Sequence, residues 1–177
     1  MGTIFVAGVY GVGKSTICQN LSQLTSIPCY SAGDLISEVN GEIYGANKAV
    51  KDKTQNQDIL ITAVEQKLHS VSSIILAGHF CIFDNSSNVK LLPEYVFERL
   101  HISKLVLLEA PVEQISNNLQ KRDAKCYSMN AIKSIKELEN LQACKIAERL
   151  NIPFLIHTMQ FNQADVTKLL PFLMRGE

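Results

Sequence analysis

Residues Gly8-Val9-Tyr10-Gly11-Val12-Gly13-Lys14-Ser15 carry the spacing GxxxxGKS, a P-loop whose chemistry is the capture of a phosphate chain. Glycine lets the backbone curl tightly there, so that successive N–H groups and the N-terminus of the following helix point at one anion. Lys14 is placed to reach the β- and γ-phosphates of a nucleoside triphosphate, and the Ser15 hydroxyl to ligate Mg²⁺. The expected phosphate-binding set is Gly8, Tyr10, Gly11, Val12, Gly13, Lys14, Ser15 and Thr16, with ATP and Mg²⁺ as the cofactors.

Such a loop works only between a buried strand and a helix, and the flanking residues supply both. Thr3 to Ala7 is apolar and β-branched; Ser15 to Leu24 reads as a helix. Beyond it the alternation continues. Strands are expected at Ile27–Ser31, Ser73–Ala77, Lys104–Glu109 and Ile152–Ile156. Helices are expected near Leu35–Val39, Asp58–His69, Pro93–Leu100, from Pro111, up to Leu150, and over 163–174. The stripe Ile132, Ile135, Leu138, Leu141 reads as the core face of the long helix that ends at Leu150. Five apolar strands alternating with helices imply an α/β, three-layer fold with a parallel sheet, whose ligands gather at the carboxyl ends of the strands. The P-loop lies at one such end, as do Ser31–Asp34, Ala77–Phe80, Glu109 and His157.

Composition sets the frame. The chain has 177 residues, enough for one domain with its own core, and 46% of them are apolar. Its 17 basic and 17 acidic residues balance, leaving no electrostatic footprint for DNA or an anionic membrane. The cysteines (Cys18, Cys29, Cys81, Cys126 and Cys144) show no metal-ligand spacing; several lie in apolar runs, where cysteine is a small buried hydrophobe, which fits a reducing compartment. No stretch reaches transmembrane length, the apolar run before the P-loop is short for a signal peptide, and position 6 is Val where myristoylation wants Ser or Thr. The expected location is the cytoplasm.

Five further segments join the P-loop in a resemblance to the nucleoside-monophosphate kinases, closest to the small archaeal-type adenylate kinases and related bacterial ATP-binding proteins. They are Ser31-Ala32-Gly33-Asp34 after the second strand, Ile74 to His79 ending the third, Leu92-Pro93, the strand–Ala-Pro–helix–Lys-Arg-Asp run over 104–123, and the final strand. The resemblance spans nearly the whole chain and implies a five-stranded sheet in the order 2-3-1-4-5. It implies an acceptor-binding insert at about 34–70, a short lid at about 121–131, and transfer of the γ-phosphoryl of Mg-ATP to a small acceptor, a nucleoside monophosphate first. Lys14, Arg122 and Asp34 would be catalytic, Arg122 as an arginine finger in cis and Asp34 behind the magnesium's waters or at the acceptor. Ser31, Gly33, Asp34, His79, Gln57 and Lys48 would hold the acceptor.

The chain departs from the family pattern in three places. Ala77 stands where the family has an acidic residue that holds a magnesium-bound water, with Asp34, Asp84 and Glu109 as the nearest substitutes. The acceptor region has lysines (Lys48, Lys51, Lys53) instead of arginines, and a lysine makes no bidentate guanidinium–phosphate pair. The lid brings only Lys121, Arg122 and Lys125.

Several of these residues carry a plainer reading. Arg122 suits a helix C-terminus, Asp34 an N-cap, and Asn56-Gln57 a helix start. His79 is equally a histidine bonded to its own loop, His157 a strand-end polar residue, and Lys48, Lys51 and Lys53 a solvated loop. Two other functions stay open: an ATPase or nucleotide-dependent switch acting on a macromolecular partner, and a kinase for a non-nucleotide small molecule.

Overall fold

The computed structural model describes residues 2–40, 53–83, 88–123 and 127–175. Lys48, Lys51, Asp84, Lys125 and Cys126 lie outside these residues, as does much of the insert expected at 34–70.

The elements follow one another as β1 (Gly2–Ala7), α1 (Lys14–Thr25), β2 (Cys29–Ser31), α2 (Ala32–Asn40), α3 (Lys53–Ser70), β3 (Ser73–Ala77), β4 (Cys81–Phe83), β5 (Val89–Leu91), α4 (Glu94–Arg99), β6 (Ile102–Glu109), α5 (Val112–Asp123), α6 (Met129–Leu150), β7 (Phe154–Thr158) and α7 (Gln163–Met174). β2, β3, β1, β6 and β7 form one parallel sheet in that order. Counting the parallel strands alone, this is the expected order 2-3-1-4-5. β1 is central and buried along its whole length, so its near-continuous apolar run is what a strand covered on both faces needs. α1 and α7 pack together on one face, and α3, α4 and α6 form a connected set on the other.

β4 and β5 add an antiparallel pair that the sequence reading missed. The pair carries Phe83 and is tied back to the core where Leu92 N–H donates to the Phe80 carbonyl at 2.9 Å. Three residues per strand leave too short a period-2 pattern to read.

Four element boundaries change the meaning of site residues. α2 begins at Ala32, which puts Asp34 in its first turn and not at the N-cap. α3 begins at Lys53, so Asn56 and Gln57 lie inside it and do not cap it. α5 runs on to Asp123, which puts Lys121 and Arg122 in its last turn and shortens the non-helical part of the expected lid. β7 starts at Phe154 and extends to Thr158, because Asn151 closes α6 in a left-handed conformation and the Pro153 carbonyl accepts from Leu105 N–H before the ladder begins. His157 is therefore inside the strand.

The expected face of α6 is corrected as well. Ile132, Ile135, Glu139, Gln142, Ala143 and Ile146 are buried, while Leu141 is 61% exposed. Uniform steps of three residues fall short of a 3.6-residue turn, so the stripe that begins at Ile132 rotates off the core before it reaches Leu141.

Candidate active site

The P-loop connects β1 to α1 with left-handed backbone at Gly8 (φ 143°), Gly11 (80°) and Gly13 (100°), a region costly for any residue with a Cβ. Close packing adds to the demand at Gly11. A Cβ there would meet Leu119 Cγ at 2.9 Å, and the Gly11 carbonyl accepts from Asn118 Nδ2 at 2.9 Å. Asn118 is in turn oriented by Gln114 Nε2 at 3.0 Å. α5 thus braces the loop from outside.

Lys14 projects from the first turn of α1 back across the loop. Its Nζ donates to the carbonyls of Gly8 at 2.7 Å and Val9 at 3.0 Å. Ser15 and Thr16 are exposed at the helix start. Bound ATP would supply the phosphoryl group and Mg²⁺ would offset its charge; the three left-handed glycines, the ammonium over the loop and the exposed Ser15 hydroxyl fit both.

The turn after β7 closes the loop's other side. Met159 Cε lies 3.2 Å and Phe161 Cε1 3.7 Å from where a Gly13 Cβ would stand. Phe161 is 41% exposed and has φ 57°. The turn is held by Asp165, fully buried, whose Oδ1 accepts from Gln160 N–H at 2.8 Å and meets His157 Nε2 at 2.7 Å, while Oδ2 accepts from Asn162 N–H at 3.1 Å. Burial disfavours its charge, but the hydrogen bonds from Gln160, His157 and Asn162 outweigh that and hold its carboxyl below the usual value. His157, expected as a strand-end polar residue, lies instead within β7 in a buried pair with Asp165.

On the opposite side of Ser15 a cavity of about 210 Å³ opens between α1, β2 and α2. It gathers Ser15, Cys18, Cys29, Ser31, Asp34, Glu38 and Ala77. Ser15 is thus brought to the same cavity as Ser31 and Asp34. Ala77 is nearly buried there, so its side chain brings no carboxylate. Glu109 is turned elsewhere: its Oε1 accepts from Asn140 Nδ2 at 3.0 Å. Burial pushes the Cys18 thiol up to about 12, with Cys29 adding to it, so Cys18 is neutral at ordinary pH and no nucleophile.

Gly78 follows Ala77 with no room for a side chain, since a Cβ would lie 2.5 Å from the Phe5 ring. His79 then stacks on Tyr10 of the P-loop with ring centroids 4.0 Å apart. Tyr10 also stacks on Phe83, and Phe83 on Tyr127. Beneath His79 lies Glu139 of α6, 1% exposed, which the sequence reading missed by assigning that face of α6 wholly to apolar residues. Only its position one residue after Leu138 would have flagged it.

The remaining expected residues are more scattered. Gln57 is buried in α3 and its Oε1 has no hydrogen-bond partner among the described residues. Gly33 lies in the first turn of α2, and its carbonyl accepts from Ser37 Oγ at 3.0 Å. Arg122 is exposed at the end of α5. The described cysteines are all free, and no group of three or more His, Cys, Asp or Glu among the described residues is arranged to hold a metal. No helix among the described residues is long and apolar enough to cross a membrane.

A family model described as an AAA domain matches residues 7–138. The adenylate kinase of Thermoplasma acidophilum is 23% identical over 139 residues, which cover 77% of this chain and 76% of the relative. Among solved structures, the shikimate kinase of Bacteroides thetaiotaomicron superposes with a TM-score of 0.62 at 13% identity, over 97% of this chain and 95% of that one. A sugar kinase from Janibacter sp. gives 0.63 at 15% identity, over 98% and 94%. These two structures share the fold.

Proposed function

The chain belongs to the AAA domain family, and on that footing we propose that it is an ATP-dependent phosphotransferase acting on a small molecule in the cytoplasm. The observation that carries this reading is the cavity of about 210 Å³ that Ser15 lines together with Ser31 and Asp34, directly beside the phosphate loop. A hydrolase needs room only for water there; this cavity has room for part of a second substrate.

Lys14 and the amides of residues 11–16 hold the triphosphate, and Ser15 holds the metal. The acceptor oxygen attacks the γ-phosphorus while the bond to the bridging oxygen breaks, leaving ADP. Phosphoryl transfer asks the protein mainly for positioned positive charge; Lys14 supplies it, with Arg122 in the last turn of α5 as the second cation. Ser31 and Asp34, with His79, Gly33 and Gln57 as the further expected contributors, would make up the acceptor side; Lys48 lies outside the described residues.

A nucleoside monophosphate is the first acceptor, supported by the chain's likeness to adenylate kinases over three quarters of its length. A second reading has a specific observation behind it. The cavity wall carries two carboxylates, Asp34 and Glu38, which suit a hydroxyl acceptor that gives up its proton to Asp34 better than they suit an anion.

ADP formation from Mg-ATP, with each nucleoside monophosphate and then a panel of sugars and hydroxy acids added in turn, tests both. Formation of a nucleoside diphosphate supports the first reading, and phosphorylation of a hydroxyl compound the second. Hydrolysis indifferent to every acceptor, and lost in Lys14→Ala, overturns both in favour of an ATPase or switch.

A further inference from the structure

Three consecutive residues after β3 turn onto one carboxylate. Phe80 N–H donates to both oxygens of Glu139 at 3.0 and 3.1 Å and Cys81 N–H donates to Oε1 at 3.1 Å, while His79 Nδ1 stands 3.5 Å from Oε1, at ion-pair distance and outside hydrogen-bond geometry. The carboxylate is 1% exposed and the His79 side chain 18%. The far face of that imidazole stacks on Tyr10. A continuous path therefore runs from the middle of α6 through Glu139 and His79 to the third residue of the P-loop.

Two amide donors alone do not require a charge, because any carbonyl or amide oxygen would accept from them. A buried ionised carboxylate is costly unless a counter-charge meets it, and the imidazole is the cationic partner that the described residues place against it. We propose that Glu139 is a positioning residue that pairs electrostatically with His79 at Nδ1, favours its imidazolium form, and so gives the acceptor side a cation where that region has no arginine. The proposal rests on the reading above, in which His79 faces the acceptor.

A carboxylate beside Nδ1 favours the Nδ1–H form and raises the ring's affinity for a second proton. Besides Tyr10, stacked on the ring, two other titratable groups stand nearby. Lys14, whose Nζ is 6.0 Å from the Tyr10 ring centre, opposes the imidazolium. The Cys81 thiol, pushed up to about 12 by burial and by Glu139, stays neutral and opposes nothing.

The test is a pH titration of the histidine ring nitrogens by NMR on the full chain, with His79 assigned by its loss in His79→Asn. Nδ1–H as the neutral form, with a midpoint about one pH unit lower in Glu139→Gln, is the expected result. An unchanged midpoint in a folded Glu139→Gln overturns the proposal and leaves Glu139 a backbone anchor. Should that variant fail to fold, Glu139→Asp decides: retention of the raised midpoint supports the proposal, and its loss overturns it. Kinetics add an independent arm. Glu139→Gln lowers kcat roughly tenfold or more while leaving the KM for ATP in place, and it costs nothing further in a His79→Asn background. Additive losses in the double variant overturn the positioning role. The NMR arm needs no turnover, so the failure of the phosphotransferase reading would be seen separately.

Discussion

Lys14 Nζ donates to the Gly8 carbonyl at 2.7 Å, so the cation that begins α1 is laid across the loop that begins after β1. On the proposed function, a phosphate entering the loop would meet an ammonium already in place, which would give up its contacts with the Gly8 and Val9 carbonyls for phosphate oxygens. Preorganised charge of this kind is worth more than charge that must be ordered on binding.

Lys14→Ala is therefore expected to lower ADP production about 100- to 1,000-fold while leaving the fold intact. Thermal melts with and without Mg-ATP check it. The parent protein is stabilised by about 2.7 kcal/mol at 100 times its Kd, and the variant by next to nothing.

Gly78→Ala should destabilise the protein by about 1–3 kcal/mol. Its Cβ would enter the ring of Phe5, which is itself wedged between Phe80 and Phe97. The shift in urea midpoint measures the cost, and a variant as stable as the parent would contradict the close approach.

Asp165 gives a pH dependence with a definite sign. Its folded pKa is lowered, so its contribution is fully present above the ordinary value of 3.8 and is lost as pH falls through the depressed folded value. Urea unfolding across that acid range should show a stability loss that Asp165→Ala lacks. At neutral pH the variant should already be weaker by about 2–4 kcal/mol, since Gln160 N–H, Asn162 N–H and His157 lose their acceptor.

α6 offers a paired test of which face is buried. Ile135→Ala, at 2% exposure, should cost about 2–5 kcal/mol. Leu141→Ala, at 61% exposure, should stay within about 0.5 kcal/mol of the parent. Equal costs would restore the stripe that the sequence suggests.

Much of the architecture was legible because it rests on local chemistry. GxxxxGKS needs its glycines for reasons confined to eight residues, and the apolar runs at 3–7, 73–77 and 104–109 identify strands covered on both faces by themselves. The expected helix over 163–174 coincides with α7, whose Asn162–Asp165 capping box is written in four consecutive residues. The candidate site was legible in part. Ser31 and Asp34 were found as residues at a strand end, yet nothing in the chain fixed their distance from Ser15.

Glu139, the His157–Asp165 pair and the seat of Phe161 against Gly13 could not be read. Glu139 and Phe161 meet partners distant in sequence that only the folded sheet brings close, while His157 and Asp165, eight residues apart, are joined by the way the turn after β7 folds α7 back. Sequence by itself determined the phosphate loop, the strand–helix alternation and the end of the sheet where ligands gather, because dihedral preference and hydrophobic period act over a few residues. Only the tertiary structure decided which buried carboxylate meets which histidine. Desolvation makes an unpaired charge intolerable in the core, and the pairing that relieves it is set by packing across the whole molecule.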